Sequence, residues 1–141
     1  MTLQEIREQV MFQTANDADD LPDFAPHLDD YINEGYDIAL LTLYKVHVDY
    51  TTVNEGDPIP DYAALTNDND VPDLPAWLHR ALVDYATWLV YRNGNPQRQQ
   101  RGMAYLDAFN KALGRASRLT AEDMANIGNG DGEVFRHHLD P

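Results

Sequence analysis

A chain of 141 residues has room for one hydrophobic core, and an apolar content of 43%, with two Trp, eight Tyr and four Phe, is enough to build it. The 24 acidic and 10 basic side chains give a formal charge of −14, which opposes approach to nucleic acid or anionic lipid. There is no cysteine, no apolar run near the roughly 18 residues of a membrane span and no charged-then-apolar signal pattern, so disulfides, thiolate metal sites, secretion and membrane insertion are not expected.

The first element is announced by Thr2-Leu3-Gln4-Glu5, the Thr-x-x-Glu form of a capping box, followed by Leu3, Ile6 and Val10 at helical spacing. A helix is predicted over about 3–14. Asn16 to Pro26 holds Asp17, Asp19, Asp20 and Asp23 with two prolines and no base, which reads as a solvated loop. Ile32, Gly35, Ala39, Leu43 and Val46 share one face, so a second helix is expected over about 27–46. Val48, Tyr50 and Val53 alternate with polar residues and allow a short β element near 47–53. Residues 49–73 contain seven acids and no base and read as a second acidic loop.

Pro72 and Pro75 precede a stripe of Leu78, Leu82, Tyr85 and Leu89 flanked by Ala81, Ala86, Trp88 and Val90, which predicts a central helix over about 75–92. Asn93-Gly94-Asn95-Pro96 is a stop-and-restart signal, with Gly94 closing one helix, Asn95 capping the next and Pro96 at its first position. The fourth helix, about 96–116, places Gly102, Tyr105, Leu106, Phe109 and Leu113 on one face and Arg101, Lys111 and Arg115 on the other. The expected fold is therefore mainly α: a single-domain bundle of about four helices with long acidic loops, a helical core at 1–116 and an extended C-terminal arm at 117–141.

The catalytic inventory is thin. Ser117 is the one serine, no phosphate-binding glycine motif occurs, and pairs such as Asp29-Asp30 or Asp68-Asp70 sit in acid-rich segments where solvation explains them. Asn129 to Glu133 resembles a calcium loop, yet the alignment puts Ile127 and His138 at the obligatory ligand positions. His137-His138 reads as a pair of surface histidines, His79 as a packed or half-exposed one, and the aromatics at 31, 36, 85, 88 and 105 as core. No enzyme activity, cofactor or metal is expected. Six of the ten bases lie between Arg92 and Arg118, opposite in sign to the acid-only loops. Arg101, Lys111 and Arg115 of one copy are candidates to meet Asp57, Asp61, Asp68 and Asp70 of a neighbour, the alternative being solvation or pairing within one subunit.

The order Thr2-Leu3-x-Glu5-Ile6, then Phe24, then Leu28-x-x-Tyr31-Ile32-Asn33-Glu34-Gly35-Tyr36, then Ala81-Leu82-Val83-Asp84-Tyr85-Ala86, Gly94-Asn95-Pro96-Gln97-Arg98 and Tyr105-x-x-x-Phe109 resembles tailed-bacteriophage head-to-tail adaptor (connector, neck) proteins over residues 2–46 and 72–116. The resemblance implies a virion protein assembled in the host cytoplasm. It implies a homo-oligomeric ring, commonly twelvefold, between the portal protein and a downstream neck or tail protein. DNA would pass through the channel without specific binding. The C-terminal arm would reach the portal, with Val134, Phe135, Arg136, His137 and Leu139 as contacts and Phe135 as the aromatic anchor. The alternatives are a neighbouring head-completion or tail-terminator protein, an acidic regulator that mimics nucleic acid, and a metal-assisted hydrolase.

Overall fold

The computed structural model describes residues 1–49 and 63–118, and the side chains of all of these except 44–49. Among them the chain is helical: α1 (Leu3–Thr14), α2 (Leu28–Asp49), α3 (Ala76–Arg92) and α4 (Pro96–Ser117), with short 3-10 turns at Ala15–Asp20 and Ala25–His27. The capping box forms as expected, the Glu5 amide donating to Thr2 Oγ1 at 3.2 Å and the Thr2 amide to Glu5 Oε1 at 3.0 Å. Asn95 caps α4 through its side chain, which accepts from the Arg98 amide at 3.0 Å, with Pro96 directly after it.

α3 is the axis of the bundle because it is apolar on nearly every side. Leu78, Leu82, Val83, Ala86 and Leu89 are wholly out of contact with solvent, and truncating any one of the buried leucines to alanine costs about 2–5 kcal/mol at such sites. α4 returns antiparallel along α3: Phe109 stacks on Tyr85 with ring centroids 4.6 Å apart, and Gly102 lies where an added Cβ would come within 2.5 Å of Tyr91 Cβ. α2 is likewise antiparallel to α3, Gly35 resting on Tyr85 and the Tyr31 hydroxyl accepting from Asn93 Nδ2 at 2.9 Å. α1 runs parallel to α3 and buries Leu3, Ile6 and Val10 against the same core.

The segment 65–74 straps the ends of α1 and α2. Asn33 Nδ2 donates to the Leu65 carbonyl at 3.0 Å while the Leu65 amide donates to Asn33 Oδ1 at 2.8 Å, a two-point amide clamp. The buried Tyr36 hydroxyl accepts from the Asp73 amide at 2.8 Å. The amides of Leu3 and Gln4, in the first turn of α1, donate to the carbonyls of Asp70 and Asp68, so helix-start donors that lack intrahelical partners are satisfied by the strap.

Three expectations are corrected. The short β element near 47–53 does not form over 47–49, which continue α2; the remaining residues of that stretch lie outside those described. No Gly or Pro falls between Gly35 and Asp49, so nothing there ends the helix, and extending an established helix avoids a second nucleation cost. The segment read as a solvated loop contains two helical turns, with Leu21 buried and Phe24 packed on the core. Asp17 within it is buried, not solvated.

Candidate interaction surfaces

Asp17 is the buried centre of a polar cluster. Its carboxylate, 5% exposed, receives Arg98 Nη1 at 2.7 Å and Arg101 Nη1 at 2.8 Å, together with the Tyr91 hydroxyl. Arg98 extends its other arm to Asp20. Hydrogen bonds from Tyr91 and Arg101, followed by the attraction of the two guanidinium groups, hold the Asp17 carboxyl below its ordinary range. Burial, then donation to Asp17, pushes the Tyr91 phenol up to about 12. Both carboxylate oxygens are occupied by donors, so the cluster joins the 3-10 turn Ala15–Asp20 to α3 and α4 and presents no open acid or base to a ligand.

Arg7 makes the matching connection at the other end of α1. Its Nε and Nη2 grip Asp29 at 2.7 and 2.9 Å, and Nη1 reaches Asp68. Those two carboxylates raise the guanidinium pKa further above its already high value. A groove of about 440 Å³ opens beside this pair, with Leu28 and Pro26 on one side and Met11 on the other.

The candidate subunit-interface residues separate accordingly. Arg101 is held by Asp17 and Asp68 by Arg7, both within the chain. Asp70 turns its carboxylate onto the amides of Thr66 and Asn67 at 2.9 Å each, which lowers its pKa. Lys111 pairs with Asp107 one turn away at 2.9 Å, both exposed. Arg115 lies over the Trp77 ring, 4.1 Å from its centroid. Asp57 and Asp61 lie outside the described residues, as do the candidate portal contacts Val134, Phe135, Arg136, His137 and Leu139, His137-His138 and the 129–133 segment.

Of the five aromatics read as core, Tyr36 is buried, Tyr31, Tyr85 and Tyr105 pack half-buried against the core, and Trp88 is half-buried beside Gly102. Tyr36 is 1% exposed, and burial pushes its phenol up to about 12; Tyr91 and Tyr105 stack nearly parallel at 5.9 Å. His79 is buried with Nε2 against the Leu74 carbonyl at 2.9 Å and Nδ1 against the Met1 amino group at 2.8 Å. Among the described residues no group of three His, Asp or Glu side chains is placed to hold a metal ion, and no helix is long and apolar enough to cross a membrane.

Sequence reasoning missed two outward features. Phe12 is 75% exposed and Met11 beside it 50%, on the side of α1 opposite Leu3, Ile6 and Val10. Met103 is 50% exposed on the outer side of α4. The helical spacing that identified the buried stripes also placed these three residues off them, which was the signal available. No protein-family model, curated protein or solved structure matches the chain.

Proposed function

We propose that this chain is a structural assembly protein, a head-to-tail adaptor that forms a ring between the portal and the downstream neck or tail protein of a tailed bacteriophage. One observation carries the reading: the residues of the adaptor resemblance occupy the joints of the bundle. Thr2 and Glu5 cap α1. Asn33 clamps Leu65, Gly35 admits Tyr85, and Tyr36 receives the Asp73 amide. Asn95 caps α4, Arg98 closes on Asp17, and Phe109 stacks on Tyr85. A set of short motifs spread over a hundred residues is then a description of one packing scheme, which is what a shared fold would preserve.

The charges support assembly over catalysis. Asp17, Arg7 and Arg98 are spent on joining elements, and the exposed Met11, Phe12 and Met103 give apolar area for partners. The reading is tested by imaging the concentrated full-length protein by negative-stain microscopy, alone and after mixing with the portal protein encoded with it. Rings, or decoration of the portal, are expected. Protein that stays monomeric and leaves the portal bare overturns it, and deletion of 119–141 is expected to abolish portal attachment while leaving helix content per folded residue unchanged.

A further inference from the structure

The outer faces of α1 and α4 are opposite in character. On α1, Glu5, Glu8 and Phe12 follow at i, i+3 and i+7 in a line that carries no base, with Met11 on its flank toward the groove that Arg7 also lines. On α4, Met103, Asp107 and Lys111 share the outward side with Arg115 at its edge, and Arg118, just past the helix end, reaches back toward Gly114. Asp107, the one carboxylate there, is already paired with Lys111. So in a protein of charge −14 the outer face of α4 is net basic, and both faces carry exposed large apolar side chains. Phe12 is the most exposed of these among the described residues.

The heights also correspond. Gln13, next to Phe12, accepts from the Tyr105 hydroxyl at 2.8 Å, which brings Phe12 and Met103, each within two residues of that pair, to neighbouring levels along the bundle. From that level α1 descends toward its start and α4 toward its end. Glu5 stands seven residues below Phe12, about 10 Å, and Lys111 eight residues below Met103, about 12 Å, at 1.5 Å per residue.

We infer, taking the ring reading as given, that the subunit contact is made by the α1 outer face of one copy, Phe12 and Met11 flanked by Glu5 and Glu8, packing on the α4 outer face of the next, Met103 above Lys111, Arg115 and Arg118. The occupant is a second copy of this chain because the two faces are complementary in charge and carry apolar groups at neighbouring heights. The contact is heterologous, each copy using both faces, so it propagates and closes into a ring whose axis runs along α3. Phe12 is the anchor, and the paired charges fix the register.

The absence of native cysteine allows a direct test. Glu8→Cys and Asp107→Cys proteins, which leave Phe12 and Met103 in place one turn away, mixed in equal amounts and treated with a short bismaleimide, should give a covalent heterodimer and nothing longer. Neither alone should cross-link above background, and the doubly substituted chain should give a ladder. Phe12→Ser, at a position three-quarters exposed, should keep the circular dichroism spectrum and melting temperature of the parent. It should raise the protein concentration needed for assembly at least tenfold. Self-cross-linking of either single variant, no cross-link where the parent forms rings, or unaltered assembly of Phe12→Ser overturns the face assignment while the ring stands. A parent that forms no higher species, alone or with portal protein, overturns both.

Discussion

The two sides of α3 are held by different physics. Toward α4 the seam is apolar and tight: Gly102 lets Tyr91 and Trp88 approach the neighbouring backbone, and Phe109 fills the space against Tyr85. Toward α1 and the residues that follow it, burial of Leu3, Ile6 and Val10 is supplemented by two arginine junctions, Arg7 with Asp29 and Asp68, and Arg98 with Asp17 and Asp20. Packing of the first kind depends on volume and is indifferent to salt. Ion pairs of the second kind are directional and answer to pH and ionic strength. The hairpin of α3 and α4 is therefore held chiefly by packing, and the α1 side by packing plus charge, Arg98 tying the turn after α1 to α4 and Arg7 tying α1 to α2 and the strap.

The most damaging way to break that contrast is to fill the tight seam. Gly102→Leu places side-chain atoms where a Cβ alone would meet Tyr91 Cβ at 2.5 Å, and a loss of about 3 kcal/mol or more is expected in urea unfolding. Asp17→Asn should cost less but act differently, since it leaves Arg98 and Arg101 without their shared carboxylate. Its midpoint should fall, and the remaining stability should be less sensitive to added salt than the parent's. An Asp17→Asn protein that keeps the parent's salt dependence would mean the junction contributes nothing to fastening α1.

Titration separates the two sides further. Asp17, Asp70 and Glu5 have carboxyls lowered in the fold, so their contribution is complete above the ordinary carboxylate pKa and is lost as pH falls through the depressed folded values. Asp84, raised by burial, has the opposite sign and relieves a cost as pH falls. On the alkaline side Tyr36 and Tyr91, each up to about 12, keep full stability below pH 10 and lose it as pH rises toward 12. Asp17→Asn should flatten the acid limb of a thermal-melting profile and Tyr36→Phe the alkaline limb; unchanged limbs would remove these assignments.

The smallest effects come from the glycines and a buried hydroxyl. A Cβ at Gly35 meets Tyr85 side-chain atoms at 3.1 to 3.3 Å, whereas at Gly114 the nearest neighbour is the movable tip of Arg118 at 3.2 Å. Gly114→Ala should stabilise by about 0.5–1 kcal/mol through helix propensity, and Gly35→Ala should gain less or lose, because Tyr85 must give way. Thr87 Oγ1 is buried without a hydrogen-bond partner among the described residues, so Thr87→Val should be neutral or stabilising by about 1 kcal/mol.

How much of this was legible follows from where the signals lie. The start of α1, the turn between α3 and α4 and the centrality of α3 were readable because Thr2-x-x-Glu5, Asn95-Pro96 and the Leu78 to Leu89 stripe are local and chemically specific. The end of α2 was not, because an alternating Val48, Tyr50, Val53 competes with a helix that has no stop signal before it. The fate of Asp17 was hidden for another reason. Tyr91 and Arg101 are 74 and 84 residues away in sequence, and segregated charge looks the same whether it pairs within a chain or between chains. The exposed face of α1 was implied by its buried one, yet only the fold's exposure of its side chain marked Phe12 as an outlier.

The amide clamp between Asn33 and Leu65 has a consequence for how such a chain can diversify. It fixes Leu65 to α2 independently of what lies between Asp49 and Ala63, so that stretch can lengthen or shorten without altering the strap or the bundle. Closing a longer loop costs only about 0.6 kcal/mol per doubling. Insertion and deletion between Asp49 and Ala63 could thus vary the chain while leaving the joints of the bundle untouched.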